Sequence, residues 1–81
     1  MKKIEVYLLV NNYVKYCLKR EEDISYSDRL VEDLGLDSLE IVSMIVELEG
    51  KLADFEIRID ADEADKWRTV EDVINTVCRQ Y

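Results

Sequence analysis

Between Ile41 and Phe55 the apolar residues Ile41, Ile45, Leu48, Leu52 and Phe55 step by four, three, four and three. That spacing belongs to one face of an α-helix and to no strand. No proline occurs in the 81 residues to interrupt such a pattern, and glycine occurs only at Gly35 and Gly50. A chain of this size buries only about 60–65% of its unfolded surface, so it needs disulfides, a metal or efficient helix packing to hold together. Two cysteines, Cys17 and Cys78, with no histidine and no CxxC, spell neither a disulfide framework nor a zinc site. The thiols read as small apolar fillers within helices, which suits a reducing cytoplasm. Helix packing remains.

The rest of the chain is segmented by periodicity and caps. From about Lys3 to Arg20, Val6, Leu9/Val10, Tyr13/Val14 and Cys17 recur at helical spacing, with Lys15, Lys19 and Arg20 suited to the helix C-terminal end. Glu21 to Leu36 is a long polar segment anchored by Ile24, Leu30, Leu34 and Leu36, longer than most loops without a task. Gly35 suits a positive φ. Asp37, with Glu40 three residues on, has the pattern of a capping box and starts the striped helix. "FEIRID" alternates but has no partner strand, so it reads as an extended connector. A short helix is expected from Asp62 to about Lys66. Thr69 with Asp72 caps a last helix whose Val70, Val73/Ile74 and Val77/Cys78 face inward. The expectation is all-α: one domain over residues 1–81, a small four-helix bundle of three longer helices and one short helix, with a long loop between helices 1 and 2.

Charge is strongly segregated. Residues 1–20 carry five Lys/Arg against Glu5, net +4; residues 21–65 carry sixteen acids against Arg29, Lys51 and Arg58, net −13. Residues 66–81 add +1, for a total of −8. Such a field repels phosphate backbones and draws in basic protein surfaces, so nucleic acid is excluded as a partner. The apolar run Val6–Val10 is too short for a signal peptide and nothing is long enough to span a membrane. "DADEAD" lacks the glycine and terminal glutamate of a calcium loop, and no metal site is expected. A cytoplasmic monomer is expected.

Ser38 stands where loop turns into helix, among these acids. A nucleophilic serine needs a base and an oxyanion site, and a chain without histidine offers no Ser-His arrangement. The hydroxyl therefore either decorates the first turn or is a point of covalent attachment, where a phosphate ester would meet the favourable end of a helix dipole. Beside it Leu39, Val42 and Val46 form a second apolar line on the helix flank, bordered by Glu40, Glu47 and Glu49. Apolar anchors in a charged rim suit a transient protein interface, and packing of this line against a loop is the alternative.

"DLGLDSLEIV" resembles the attachment motif of the acyl carrier proteins, in which D-S-L at the start of the second helix carries the prosthetic group. "REEDIS" and "LVEDLGLDSLE" are similar to the family's first loop, and "EIRIDADEADKWRTVEDVI" to its third and fourth helices. The chain departs from the family pattern at Asp60, where a proline is usual, at Ser43 and Gly50, where acids are common, and at Trp67, usually a smaller aliphatic residue. The resemblance implies phosphopantetheine attached to Ser38 by a phosphopantetheinyl transferase, and a thiol that carries acyl groups as thioesters. It implies no catalysis by the chain itself. It implies partners among acyl-transferring and acyl-modifying enzymes of fatty-acid or related lipid and secondary-metabolite biosynthesis, with basic surfaces docking on Asp37, Leu39, Val42, Val46 and Glu49. A specialised peptidyl or aminoacyl carrier and an unmodified acidic helical interaction module are the rival readings.

Overall fold

The computed structural model describes residues 2–80. Helix α1 runs Lys3–Leu18, α2 Ser38–Lys51, α3 Ala61–Ala64 and α4 Val70–Cys78, with one 3-10 turn at Ala53–Phe55. No strand occurs among the described residues, and the one β-bridge pairs Arg29 with Thr69. The architecture is the expected helical bundle, with three longer helices and a short one. α1 packs against both α2 and α4.

Each helix follows from its spacing. Val6, Val10 and Val14 on α1 are fully buried, one turn apart on a single face. The helix stops at Leu18 rather than Arg20, because Lys19 turns left-handed (φ 51°) and the Arg20 N–H returns to the Lys15 carbonyl, 3.1 Å away. Asn11 is a buried polar residue that periodicity alone did not flag. Its Nδ2 donates to Asp23 Oδ1 at 3.0 Å, and its Oδ1 accepts from the Ile24 N–H at 3.0 Å.

That clamp begins the ordering of the long loop. Tyr7 donates its hydroxyl to the Ile24 carbonyl at 2.6 Å, while Ile24, Leu30, Leu34 and Leu36 all insert into the core, as expected. Farther on, the loop saturates the start of α4. The Val70 N–H donates to the Asp28 carbonyl and the Glu71 N–H to that of Tyr26. Helix N-termini leave such donors unsatisfied, so the loop and α4 complete one another. Gly35, at φ 72°, makes the left-handed bend before α2.

In α2 the buried face is rotated from the expected stripe. Met44 and Leu48 are its buried residues, with Leu52 buried just past its end, and Ile41 and Ile45 lie half-buried at the margin. Phe55, expected inside, is 41% exposed. The α-helix ends at Lys51, and the 3-10 turn that follows changes the residue rotation, so Phe55 no longer continues the face. Burying a side chain such as Leu48 stabilises the bundle by about 1.5–3 kcal/mol, so this register is strongly fixed.

The connector is extended, as expected, and is pinned by side chains. Gln80 accepts from the Arg58 N–H and donates to the Arg58 carbonyl. Ile57 and Ile59 point inward. α3 starts one residue earlier than the sequence suggested, at Ala61. Trp67 is buried beyond it, and its indole N–H donates to Thr76 Oγ1 at 2.8 Å. Thr69 and Asp72 form the expected capping box at α4.

Candidate functional site

Ser38 is the first residue of α2 and is exposed. Its position is set from both sides. Leu36, 1% exposed, roots the approach in the core, and Asp37 closes the helix end. Asp37 Oδ1 accepts from the Glu40 N–H at 2.8 Å, while Glu40 Oε1 accepts from the Asp37 N–H at 3.0 Å. Both halves of the capping box are therefore formed. No described residue accepts from the N–H groups of Ser38 or Leu39. Two donors thus point out of the helix end beside the hydroxyl, where the helix dipole favours an anion.

The hydroxyl has no means of activating itself. The carboxylates on either side, Asp37 and Glu40, are spent on the cap, and no histidine exists in the chain. This end of α2 can receive an anionic group, but it cannot by itself drive a displacement. Among the described residues no group of three or more His, Cys, Asp or Glu is placed to hold a metal ion. Among the described residues no helix is long and apolar enough to cross a membrane.

Beside Ser38 the flank of α2 is open. Leu39 is 78% exposed, Val42 56% and Val46 65%, so the line of three apolar residues lies outside the core. The two acids expected to join them have intramolecular work as well. Asp37 caps α2, and Glu49 Oε2 accepts from the Ile59 N–H at 3.0 Å, tying the connector to the helix. Glu47, exposed on the same helix, lies 3.9 Å from Lys51, a separation at which a surface pair contributes little.

The electrostatics of the preceding loop are local. Hydrogen bonds from Asn11, then Lys15, hold the Asp23 carboxyl below the ordinary carboxylate range. The hydrogen bonds of Arg29 do the same for Asp33. On the far side of α2 the Tyr13 hydroxyl donates to the Glu40 carbonyl at 3.1 Å. Burial, followed by its hydrogen bond with Cys17, pushes Tyr13 up to about 12. Sequence reasoning placed Tyr13 in the core and overlooked Tyr16. The available signal was that Tyr16 lies off the buried four-residue spacing of α1; it is 83% exposed.

The family of the phosphopantetheine attachment site matches this chain over residues 14–77. An acyl carrier protein of Exiguobacterium sibiricum is 37% identical over 73% of this chain and 71% of its own. One from Wolinella succinogenes is 41% identical over 69% of this chain and 70% of its own. A solved structure of a Mycobacterium tuberculosis protein assigned as an acyl carrier superposes with a TM-score of 0.79. That pair shares 31% identity over 99% of this chain and all of the other.

Proposed function

The chain belongs to the acyl carrier proteins of the phosphopantetheine-attachment family, and on that premise we propose that Ser38 is the residue that bears the arm. Its membership makes it a carrier with covalently attached phosphopantetheine and sets aside the reading as an unmodified interaction module. When bound, the arm supplies a terminal thiol that holds an acyl group as a thioester. The observation that carries the assignment is an exposed hydroxyl on the first residue of a capped helix.

The surrounding residues divide the work. The Asp37–Glu40 box fixes the first turn, so the Ser38 hydroxyl is presented at one place. The Ser38 and Leu39 N–H groups favour a phosphodiester there by charge and hydrogen bonding. No described residue accepts the hydroxyl proton, which leaves to a base of the partner, a phosphopantetheinyl transferase; the Ser38 oxygen bonds to the pantetheine-bearing phosphorus of coenzyme A as the pyrophosphate bond breaks and the adenosine bisphosphate departs. Leu39, Val42 and Val46 offer apolar contact to this and to later acyl-processing enzymes, and the acidic middle of the chain draws in their basic surfaces. Asp37 and Glu49 add charge to the rim while serving the fold. The chain works as one carrier domain in the cytoplasm, where its two unpaired thiols are at home.

The test is incubation of the wild-type chain and Ser38→Ala with coenzyme A and a transferase, followed by intact-mass measurement. The wild type gains the phosphopantetheine mass, and Ser38→Ala stays folded without it. A gain on Ser38→Ala would overturn the assignment.

A further inference from the structure

The turn that carries Ser38 is held to the rest of the bundle by very little. Leu36 is buried ahead of it and Met44 after it, but no residue from Asp37 to Ser43 is buried. The Asp37–Glu40 box, and the bond from the Ile41 N–H to the Asp37 carbonyl at 3.0 Å, close the turn upon itself. They fix its shape without fixing where it sits on the bundle, and segments with few buried contacts open and close locally. A hydrogen bond reaches this turn from another helix. The Tyr13 hydroxyl of α1 donates to the Glu40 carbonyl at 3.1 Å, across 27 positions of sequence. Tyr13 follows Val10 by one turn and adjoins Val14, both fully buried, and its own ring packs against the core. The hydroxyl is therefore placed by the body of the bundle. Cys17 also lies against it, but sulfur is a weak acceptor and the carbonyl the better one.

We propose that Tyr13 is a positioning residue for the modification of Ser38: its bond to the Glu40 carbonyl braces the first turn of α2 against α1, so that the serine hydroxyl meets the partner at a fixed distance from the rest of the carrier. The inference rests on the reading of Ser38 given above. The path is short. Tyr13 holds the backbone of Glu40, whose N–H and carboxylate both bond to Asp37, the residue before Ser38. A specific interface draws about 20–30 residues from each side, so a transferase grips far more of the chain than this turn. Attack on phosphorus needs the oxygen within about 3–3.5 Å and in line. Slack between the grip and the hydroxyl therefore slows the step on the bound carrier and leaves binding alone. Tyr7 supplies the comparison within the same helix. Its hydroxyl donates at 2.6 Å to the Ile24 carbonyl, which belongs to the loop and not to the Ser38 turn.

The experiment measures single-turnover loading of the full chain by coenzyme A and excess transferase over a range of transferase concentrations. The rate constant on the bound carrier and the half-saturating concentration are then read separately. A net hydrogen bond shifts a local equilibrium by about fivefold. Tyr13→Phe keeps the ring, lowers the saturating rate constant by about two- to fivefold, and leaves the half-saturating concentration as in the wild type. In amide hydrogen exchange its Ile41 N–H quickens by about the same factor relative to that of Leu48. Tyr7→Phe lowers the melting temperature yet loads at the wild-type rate, which separates placement of the turn from general stability. Circular dichroism confirms that both variants are folded. The inference is overturned if Tyr13→Phe keeps the wild-type rate constant, whatever its half-saturating concentration or its Ile41 exchange. It is equally overturned if Tyr7→Phe slows loading as much as Tyr13→Phe. Phosphopantetheine that still appears on Ser38→Ala, by contrast, refutes the attachment reading itself and is read from the mass, independently of any rate.

Discussion

Asp37 is asked to do two things, and substitutions can separate them. Its carboxylate takes the Glu40 N–H at 2.8 Å, and loss of such a cap costs about 1 kcal/mol. A charge at an exposed helix start adds a few tenths more at low salt, near the bottom of the usual range. Asp37→Ala therefore destabilises by about 1–1.5 kcal/mol, which for a chain of this size lowers the melting temperature by about 5–10 °C. Asp37→Asn keeps an oxygen acceptor for Glu40 and loses only the charge, so its melting temperature falls by about 2 °C or less. Thermal unfolding followed by circular dichroism reads both. Equal destabilisation by Ala and Asn, or none by Ala, would refute the cap argument. The transferase KM at low salt then reads the second role. Asp37→Asn raises KM if the charge guides docking, and an unchanged KM would confine Asp37 to the fold.

Thr76→Val removes the acceptor of the buried Trp67 indole N–H and the hydroxyl's own bond to the Asp72 carbonyl; an orphaned donor of this kind costs about 1–3 kcal/mol, seen as a lower urea midpoint with loading of Ser38 intact. Val42→Asp places a charge in the centre of the docking flank without touching the core, so partner dissociation quickens while circular dichroism stays native; unfolding of this variant would show that the flank is core. Sixteen acids in residues 21–65 repel one another, so millimolar magnesium or added salt raises the melting temperature at pH 7, and an unchanged value would refute the self-repulsion. Asp23, Asp33 and Asp72 are held below the ordinary value of 3.8; for Asp72 burial opposes this, but hydrogen bonds from Arg68 and Thr69 prevail. Their folded forms bind protons less readily than the unfolded chain, so their stabilisation is present above 3.8 and is lost as pH falls through the folded values; melting temperatures measured down that range should drop.

What could be read from the sequence and what could not differ for physical reasons. Caps are local, so Asp37–Glu40 and Thr69–Asp72 were legible from spacing alone and both are formed. The loop anchors Ile24, Leu30, Leu34 and Leu36 were legible because apolar residues in a polar segment have few other uses. The centre of the α2 face was not. Met44 sits between Ile41 and Ile45 in the pattern, and which of them the core takes depends on how α1 and α4 approach, a long-range matter. Phe55 was misplaced because a change from α to 3-10 winding leaves no mark in apolar spacing. Ser38 and the exposed flank were visible as a lone hydroxyl beside a surplus of apolar residues. The bond from the Ile59 N–H to Glu49 joins residues ten apart, across a turn, and only the fold brings them together. The same holds for the Tyr13 hydroxyl and the Glu40 carbonyl.

The chain contains four serines, Ser25, Ser27, Ser38 and Ser43, and only one of them begins a capped helix. The most direct measurement is therefore fragment mass spectrometry of the protein purified from its own cells, locating the phosphopantetheine on a single residue. The account predicts the arm, with or without an acyl group, on Ser38 and on no other serine. An arm found on Ser25, Ser27 or Ser43, or a chain fully loaded with Ser38 unmodified, would contradict it.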